Sequence, residues 1–390
     1  MKIVHLTLTG PVTDGLSYQD NLLTKYHKRN GNDVTVITSK YVYNKVGILE
    51  RINKSKYYNK DGVYMIRLNI KNNRSLNFKF KRFEKIIDTL ANEKPDMLFI
   101  HGLQFLDVRK IKAYLKSNDN IISFADNHAD FSNSARGFLS KFVLHKIIWK
   151  FHVNLIEPYL YKIYGVLPAR VEFMNKMYKV NAKKLDILYL GADDDILKKV
   201  KMKNKDYYRQ KYGIVDTDFL IVTGGKIDSA KLQLIDFLKA INILKKSKIK
   251  VLVFGSVQDD IFFEFSKLLN DNVRYIGWLS NIEAYEVFNA SNLVVFPGRH
   301  SVYWEQVVAL GIPMFVKFWK GSTHIDIGSN CKFFYKDSID EYMEMINSIT
   351  NNQSNYLEML KGAISLKKEE FNYSQIALKN LEDYNKAQER

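Results

Sequence analysis

Apolar residues along the chain gather in short runs that end in polar or glycine-rich segments, and these runs alternate with stretches of helical periodicity. Lys2–Thr9 reads as a strand, Gly10–Gly15 as a turn-rich loop, Leu16–Arg29 as a helix closed by Gly31-Asn32, and Asp33–Thr38 as a second strand. Gly62–Leu68, Asp96–Gly102 and Ile121–Asp130 continue the series, and Leu185–Asp193 reads as its last strand. A strand-loop-helix-strand opening of this kind builds a parallel sheet with helices on its faces. After a charged linker the alternation starts again. Strands are expected at Phe219–Thr223, Ile249–Gly255, Val273–Ile276 and Asn292–Phe296, with helices from about Lys231 to Leu244 and from Asn281 to Asn289. The expected fold class is α/β, with two doubly wound Rossmann-like domains facing each other across a cleft. Residues 1–200 form the first domain, 201–371 the second, and a C-terminal helix over about 372–390 packs back on the first.

Two segments depart from this alternation. Lys71–Lys85 carries six cations interleaved with Phe78, Phe80 and Phe83, which suits a solvated face or an anionic contact. Phe138–Tyr164 is strongly apolar and aromatic, is punctuated by Lys141, Lys146, Lys150 and Lys162, and is expected to be helical up to Glu157-Pro158. Such a helix either lies on a bilayer surface or packs between layers. No charge-free apolar run approaches the about 18 residues needed to span a bilayer, and the start of the chain lacks the apolar core of a secretory signal.

With 390 residues and 46% hydrophobic content the chain has enough material for two cores and is not disordered. Its one cysteine, Cys331, excludes an internal disulfide and a multi-cysteine zinc site, and fits a reducing, cytoplasmic compartment. The net charge of +17 is unevenly spread: residues 1–200 hold 34 Lys+Arg against 19 Asp+Glu, and residues 201–390 hold 25 against 23. The basic half is the first, and it attracts anions such as nucleic acid, an anionic leaflet or a phosphorylated substrate. The chain is also rich in Lys, Asn, Ile and Tyr, so compositional bias accounts for part of that excess.

In open parallel sheets ligands bind beyond the carboxyl ends of the strands. His101 ends one expected strand, and Asp126, Asn127, His128 and Asp130 end the next, so both histidines are expected to face a cleft. They lack a recognisable metal-ligand spacing. Gly225, Lys226 and Lys231 lie between a strand and a helix N-terminus, where two cations and backbone N–H groups suit a diphosphate. The segment Phe296–Pro313 reads as strand end, Pro-Gly turn, short helix and strand, and its Glu305 carboxylate can accept hydrogen bonds from two adjacent sugar hydroxyls. Together these describe a site for a nucleoside diphosphate joined to a sugar.

Taken in order, these stretches resemble the retaining glycosyltransferases of family 4, of the two-domain GT-B fold, and within them enzymes of bacterial surface polysaccharide synthesis. Gly225–Lys231 resembles the family's Gly-Arg…Lys phosphate motif. His300–Gln306 with Gly311-Ile312-Pro313 resembles the donor-binding helix, Asp126-Asn127-His128 the acceptor-side segment, and Gly10–Gly15 the first-strand loop. The resemblance implies that Lys226 and Lys231 neutralise the donor diphosphate, that Glu305 holds the ribose with His300 and Ser301 nearby, and that His128 faces the transferred sugar. Gly10 or Gly15 would present N–H groups to phosphate, and His101, Asp126, Asn127 and Asp130 would line the acceptor side. Two positions depart from the pattern. Lys226 stands for the family's Arg, keeping charge and losing bidentate geometry, and Pro297 stands where the family has its first Glu. His300, Ser301 or Asp326 is then left to replace that carboxylate.

The expected partners are a nucleotide-sugar donor and a glycan or lipid-linked acceptor, with no metal or other cofactor and no nucleic acid. The expected location is cytoplasmic, with peripheral contact to the inner face of the membrane through the basic half. A GT-B epimerase and a non-catalytic glycan- or nucleic-acid-binding protein are the alternatives.

Overall fold

A computed structural model of the chain describes residues 1–389 except 45–46, 74–79, 136 and 229–231. Arg74, Phe78 and Lys79 of the basic-aromatic run, and Lys231, lie outside the described residues. The chain divides into two compact units, Met1–Leu190 with Tyr373–Arg390, and Gly191–Asn372. The division falls ten residues before the expected boundary at 200. Helix Asp194–Lys201 belongs to the second unit, where it packs on helix Asn281–Ala290 and buries Leu197 and Val200.

Among the described residues the first unit has ten strands: β1 Lys2–Thr7, β2 Asp33–Ser39, β3 Tyr41–Tyr43, β4 Leu49–Arg51, β5 Lys56–Tyr58, β6 Tyr64–Leu68, β7 Met97–His101, β8 Ile122–Asn127, β9 Lys162–Gly165 and β10 Leu185–Ile187. Eight form one sheet in the order β10-β9-β8-β7-β1-β2-β6-β5, parallel except for β5 against β6, and β3 and β4 pair by themselves. Alternate residues of β1 feed opposite cores, as a sheet buried on both faces requires. Val4 and Leu6 join the helices Ile86–Glu93, Val108–Lys116 and Lys150–Ile156 on one face. Ile3 joins the helices Gln19–Arg29 and Tyr373–Gln388 on the other.

Sequence patterning missed the hairpin and β5 in the polar stretch 40–62, because edge strands of three residues carry no period that a polar loop lacks. It also missed β9, which begins inside the aromatic run after Pro158 and ends one residue beyond it. β10 stops at Ile187 rather than continuing to Asp193.

The second unit holds β11 Phe219–Gly224, β12 Ile249–Phe254, β13 Val273–Tyr275, β14 Leu293–Phe296, β15 Met314–Lys317 and β16 Cys331–Phe334, all parallel, in the order β13-β12-β11-β14-β15-β16. Ile221, Val251, Val253, Leu293, Val295 and Phe315 pack against helices Gln233–Leu244 and Ile339–Thr350. In both units the strand order reverses beside the first strand, between β1 and β7 and between β11 and β14. These reversals open the crevices in which such sheets bind ligands.

At the end of β11 the chain turns within van der Waals range of the end of β12. A Cβ on Gly255 would lie 1.9 Å from the Gly225 carbonyl oxygen, and its φ of +113° already suits only glycine. Gly255→Ala is therefore expected to destabilise the second unit by at least about 2 kcal/mol, read as a lowered denaturation midpoint; an unchanged midpoint would refute the close packing of these two loops.

Candidate functional site

At the reversal in the first unit, β1 runs into the loop 8–18. Buried Arg67 on β6 holds that loop: its guanidinium donates to the Val12 carbonyl at 3.0 Å and the Ser39 carbonyl at 2.9 Å, and Nε donates to the Tyr57 hydroxyl. Tyr57 in turn donates to Asp14 at 2.8 Å. Gly15 has a φ of +83°, which the turn requires, whereas a side chain on Gly10 would meet nothing within 4 Å. The Thr9 hydroxyl donates to the His101 carbonyl at 2.9 Å and ties the loop to the end of β7.

His101 and Asp126 are register partners on β7 and β8. Asp126 is fully buried; its Oδ2 lies 2.8 Å from His101 Nδ1, its Oδ1 accepts the Gly102 N–H at 2.9 Å, and His128 Nε2 lies 3.6 Å from Oδ1. Burial alone would raise its pKa, but His101 and His128 outweigh it and hold the carboxyl well below its usual range. His128 is 46% exposed and is the member of this group that a ligand can reach.

The neighbouring residues are committed to structure. Asn127 donates to the carbonyls of Ala129 and Arg170 and accepts the Ala129 N–H, while Asp130 accepts the Ser132 N–H and hydroxyl and the Asn133 N–H and lies 3.4 Å from Arg170 Nε. They shape the loop that carries His128.

Two residues of this site were absent from the sequence-based set. His5 Nδ1 lies 2.9 Å from His101 Nε2, and His5 Nε2 lies 3.0 Å from His27 Nδ1, so a buried chain of imidazoles runs back from Asp126 to the helix Gln19–Arg29. With Asp126 ionised and able only to accept, His101 donates from Nδ1 to it, and the His101 Nε2 faces His5 Nδ1. The available signal was a lone histidine within the apolar strand Lys2–Thr7, which by itself does not name a partner 96 residues away.

At the reversal in the second unit, β11 leads to Gly225-Lys226 and β14 to Pro297–Tyr303, and the two strands are adjacent. The Gly225 N–H donates to the Phe254 carbonyl at 3.0 Å, so it serves the close packing of the two loops rather than standing free for phosphate. Lys226 projects with 69% of its side chain exposed, 3.5 Å from Asp228. Ser301 starts the helix Tyr303–Leu310: its carbonyl accepts the Trp304 N–H at 2.9 Å and its hydroxyl faces the Tyr303 N–H at 3.5 Å.

Glu305, in the first turn of that helix, is fully buried. Its Oε1 lies 2.7 Å from His300 Nε2 and 2.9 Å from His324 Nε2, and its Oε2 has no hydrogen-bond partner. Burial works to raise its pKa, yet the two imidazoles prevail and bring it down to about 2. One oxygen is therefore committed, and the carboxylate does not stand open to two sugar hydroxyls as expected. The three side chains place ligand-type atoms within 4.8 Å of one another, a set that could also take a divalent cation. As arranged, both imidazoles point Nε2 directly at the carboxylate. His324, the third member, follows Gly321-Ser322 and carried no sequence signal; Asp326, two residues on, is exposed.

No family model and no curated protein matches the chain. Solved structures match over nearly its whole length. A glycosyltransferase from Rickettsia africae aligns with a TM-score of 0.70 at 14% identity, covering 99% of this chain and 98% of that one. Anabaena HepE in complex with UDP aligns at 0.69 with 13% identity, covering 99% and 100%. UDP-GlcNAc 2-epimerase from Neisseria meningitidis, bound to UDP-GlcNAc, aligns at 0.64 with 11% identity, covering 99% and 100%. The fold is that of the GT-B glycosyltransferases.

The imidazole chain predicts a pH dependence. Burial, with the neighbouring imidazoles, lowers His5 well below the ordinary 6.5 and His27 to about 3. Between these values the unfolded chain binds more protons than the folded one, so stability falls as pH falls. Each histidine contributes up to about 1.4 kcal/mol per pH unit in that window. The thermal midpoint is expected to drop from about pH 7 to about pH 5, and to drop less in His27→Gln; equal drops in both proteins would refute the buried neutral chain.

Proposed function

We propose that the chain is a retaining glycosyltransferase of family 4 that moves a hexosyl group from a nucleotide-diphosphate sugar to a glycan or lipid-linked acceptor in polysaccharide biosynthesis. The observation that carries this proposal is the pairing of loops at the β11/β14 reversal. One loop presents Lys226, and the other presents His300 and Ser301 ahead of a helix N-terminus. Cations and a helix N-terminus are the means by which proteins hold a diphosphate. The UDP in the HepE complex and the UDP-GlcNAc in the epimerase complex are consistent with a nucleotide-sugar donor.

In this proposal Lys226 and Lys231 neutralise the diphosphate as the bond from the anomeric carbon to phosphate oxygen breaks. The acceptor hydroxyl forms its new bond to that carbon on the same face, and its proton passes to the departing phosphate oxygen. The protein then supplies placement and charge rather than a pair of catalytic carboxylates. His128, held by Asp126, faces the transferred sugar. Glu305 acts through His300, because His300 is 14% exposed while the Glu305 carboxylate is fully enclosed. Peripheral contact with the inner face of the cell membrane belongs to the same proposal.

The epimerase neighbour favours one second reading, conversion of a nucleotide sugar without an acceptor. Product analysis separates the two, since only transfer consumes an acceptor. A thermal-shift series with nucleoside diphosphates and their sugars tests donor binding first, because a bound ligand raises the midpoint; no shift with any of them would overturn both readings.

Lys231→Ala is expected to lower transfer at least about a hundredfold, and near-normal turnover would remove the lysine from the phosphate site. Glu305→Gln, measured by donor titration, is expected to weaken donor binding about tenfold by releasing His300 and His324; undiminished affinity would leave Glu305 without a role in the site. Transfer is expected to persist in the presence of a chelator, and loss of activity reversed by a divalent cation would overturn the metal-independent form of the proposal.

A further inference from the structure

The run Phe138–Ile156 forms one continuous helical segment, wound with i to i+5 hydrogen bonds over Leu139–Trp149 and as an α-helix over Lys150–Ile156. The wider turn brings positions four and five apart onto a common face. One face is anchored: His145, Trp149, His152, Val153 and Ile156 are buried, and the His145 Nδ1 lies 2.6 Å from the Tyr178 hydroxyl. The opposite face is apolar and uncovered. Leu139, Val143, Ile147 and Phe151, spaced four apart, are exposed together with Phe138 and Phe142, and Phe138 and Leu139 show 74% and 71% of their surfaces. Trp149 belongs to the buried side.

An apolar stripe of this size on a charged protein marks a surface that something covers. Its surroundings say what. From Phe131 to Ile156 the sequence has no acidic residue and has Arg136, Lys141, Lys146 and Lys150. Lys141 and Lys146 lie 5.5 and 5.4 Å from the centre of the Phe142 ring, and Arg109 of helix Val108–Lys116 lies 5.3 Å from that of Phe151. Cations thus flank the stripe, with the Lys141 and Lys146 ammonium groups and the Arg109 guanidinium lying over its aromatic rings. A protein partner would need acidic side chains around an apolar groove, and a second copy would bring like charges together. An anionic lipid leaflet meets both demands at once: acyl chains receive the aromatic and aliphatic side chains, and headgroups receive the lysines.

We infer that the face of residues 138–151 is a docking surface for an anionic membrane leaflet, with the stripe inserted at the headgroup boundary and Lys141, Lys146 and Lys150 pairing with lipid phosphates. No helix among the described residues is long and apolar enough to cross a membrane, so the contact is interfacial. The docking helix begins ten residues after His128 in the same chain segment and the same unit. Resting on the proposed glycosyl transfer, this adjacency selects a lipid-linked acceptor, delivered along the leaflet to the His128 loop.

The test uses the full chain and no substrate, so that failure of docking and failure of the transferase proposal are distinguishable. Co-sedimentation is measured with vesicles of phosphatidylcholine alone and with phosphatidylglycerol added. Binding is expected only with the anionic lipid and is expected to weaken steeply as salt shortens the screening length from about 10 Å toward about 3 Å. Lys141→Gln, Lys146→Gln and Lys150→Gln together are expected to reduce it about a hundredfold, or about fivefold per lysine.

Phe138→Ser, Leu139→Ser and Ile147→Ser together are expected to abolish insertion, seen as lost protection of an environment-sensitive label at Val143, with the thermal midpoint and the nucleotide-induced shift retained. Equal binding of wild type and this variant would overturn the inference, as would absence of binding to anionic vesicles. A wild-type dimer in sedimentation that the serine variant dissolves would overturn it too, by assigning the face to a second copy.

Discussion

Each unit of this protein keeps one carboxylate fully out of water, and in each the same device makes that tolerable. An isolated buried carboxylate costs several kcal/mol. Asp126 meets the imidazole of His101, a backbone N–H and the approach of His128; Glu305 meets the imidazoles of His300 and His324 on a single oxygen. Both carboxyls are held below their usual range despite burial. Because the carboxylates stay ionised, the histidine nitrogens hydrogen-bonded to them, on His101, His300 and His324, carry the proton, while the more exposed His128 lies 3.6 Å from Asp126. The candidate site of each unit depends on that pairing.

The sheets decide where these pairs sit. In a parallel sheet every strand end at one edge faces the same way, and the reversal of strand order leaves a crevice there. His101 and Asp126 are register partners at such an edge, and the loops after β11 and β14 flank the corresponding edge of the second unit. Glycine is needed at these edges for packing. Gly255 lets the loops after β11 and β12 meet, which is why the Gly225 N–H is committed to Phe254. Chemistry assigned to that glycine from its motif alone gives way to sterics, and the charge beside it, on Lys226, carries the proposed phosphate contact instead.

The helical segment after Asp126 shows how a single sequence pattern divides between two roles. Its aromatic and aliphatic residues are equally apolar, yet Trp149, Val153 and Ile156 complete the core of the first unit while Phe138, Ile147 and Phe151 face outward. Periodicity alone did not settle the division, because the π-type winding shifts residues away from the 3.6-residue period on which faces are ordinarily read. Part of the positive charge of residues 1–200 lies on this helix, where Lys141 and Lys146 flank the exposed stripe.

From the amino-acid order alone came the α/β class, the restart of the strand-helix alternation after residue 200, most long strands, and the proximity to strand ends of His101, Asp126, His128, Lys226 and Glu305. These were legible because apolar period and strand-terminal polar residues are local properties of the chain. Short edge strands such as β5 were not, since three residues set no period. Nor were the partners of the two carboxylates: His5, His27 and His324 are joined to their sites by sheet register and by loop closure over separations of up to 96 residues. The tertiary structure alone decided that Asn127 and Asp130 shape a loop, that Glu305 is enclosed behind His300, and which face of the 138–156 helix meets solvent. Each of these is a consequence of which atoms exclude water from which others, and that is settled only when distant segments pack together.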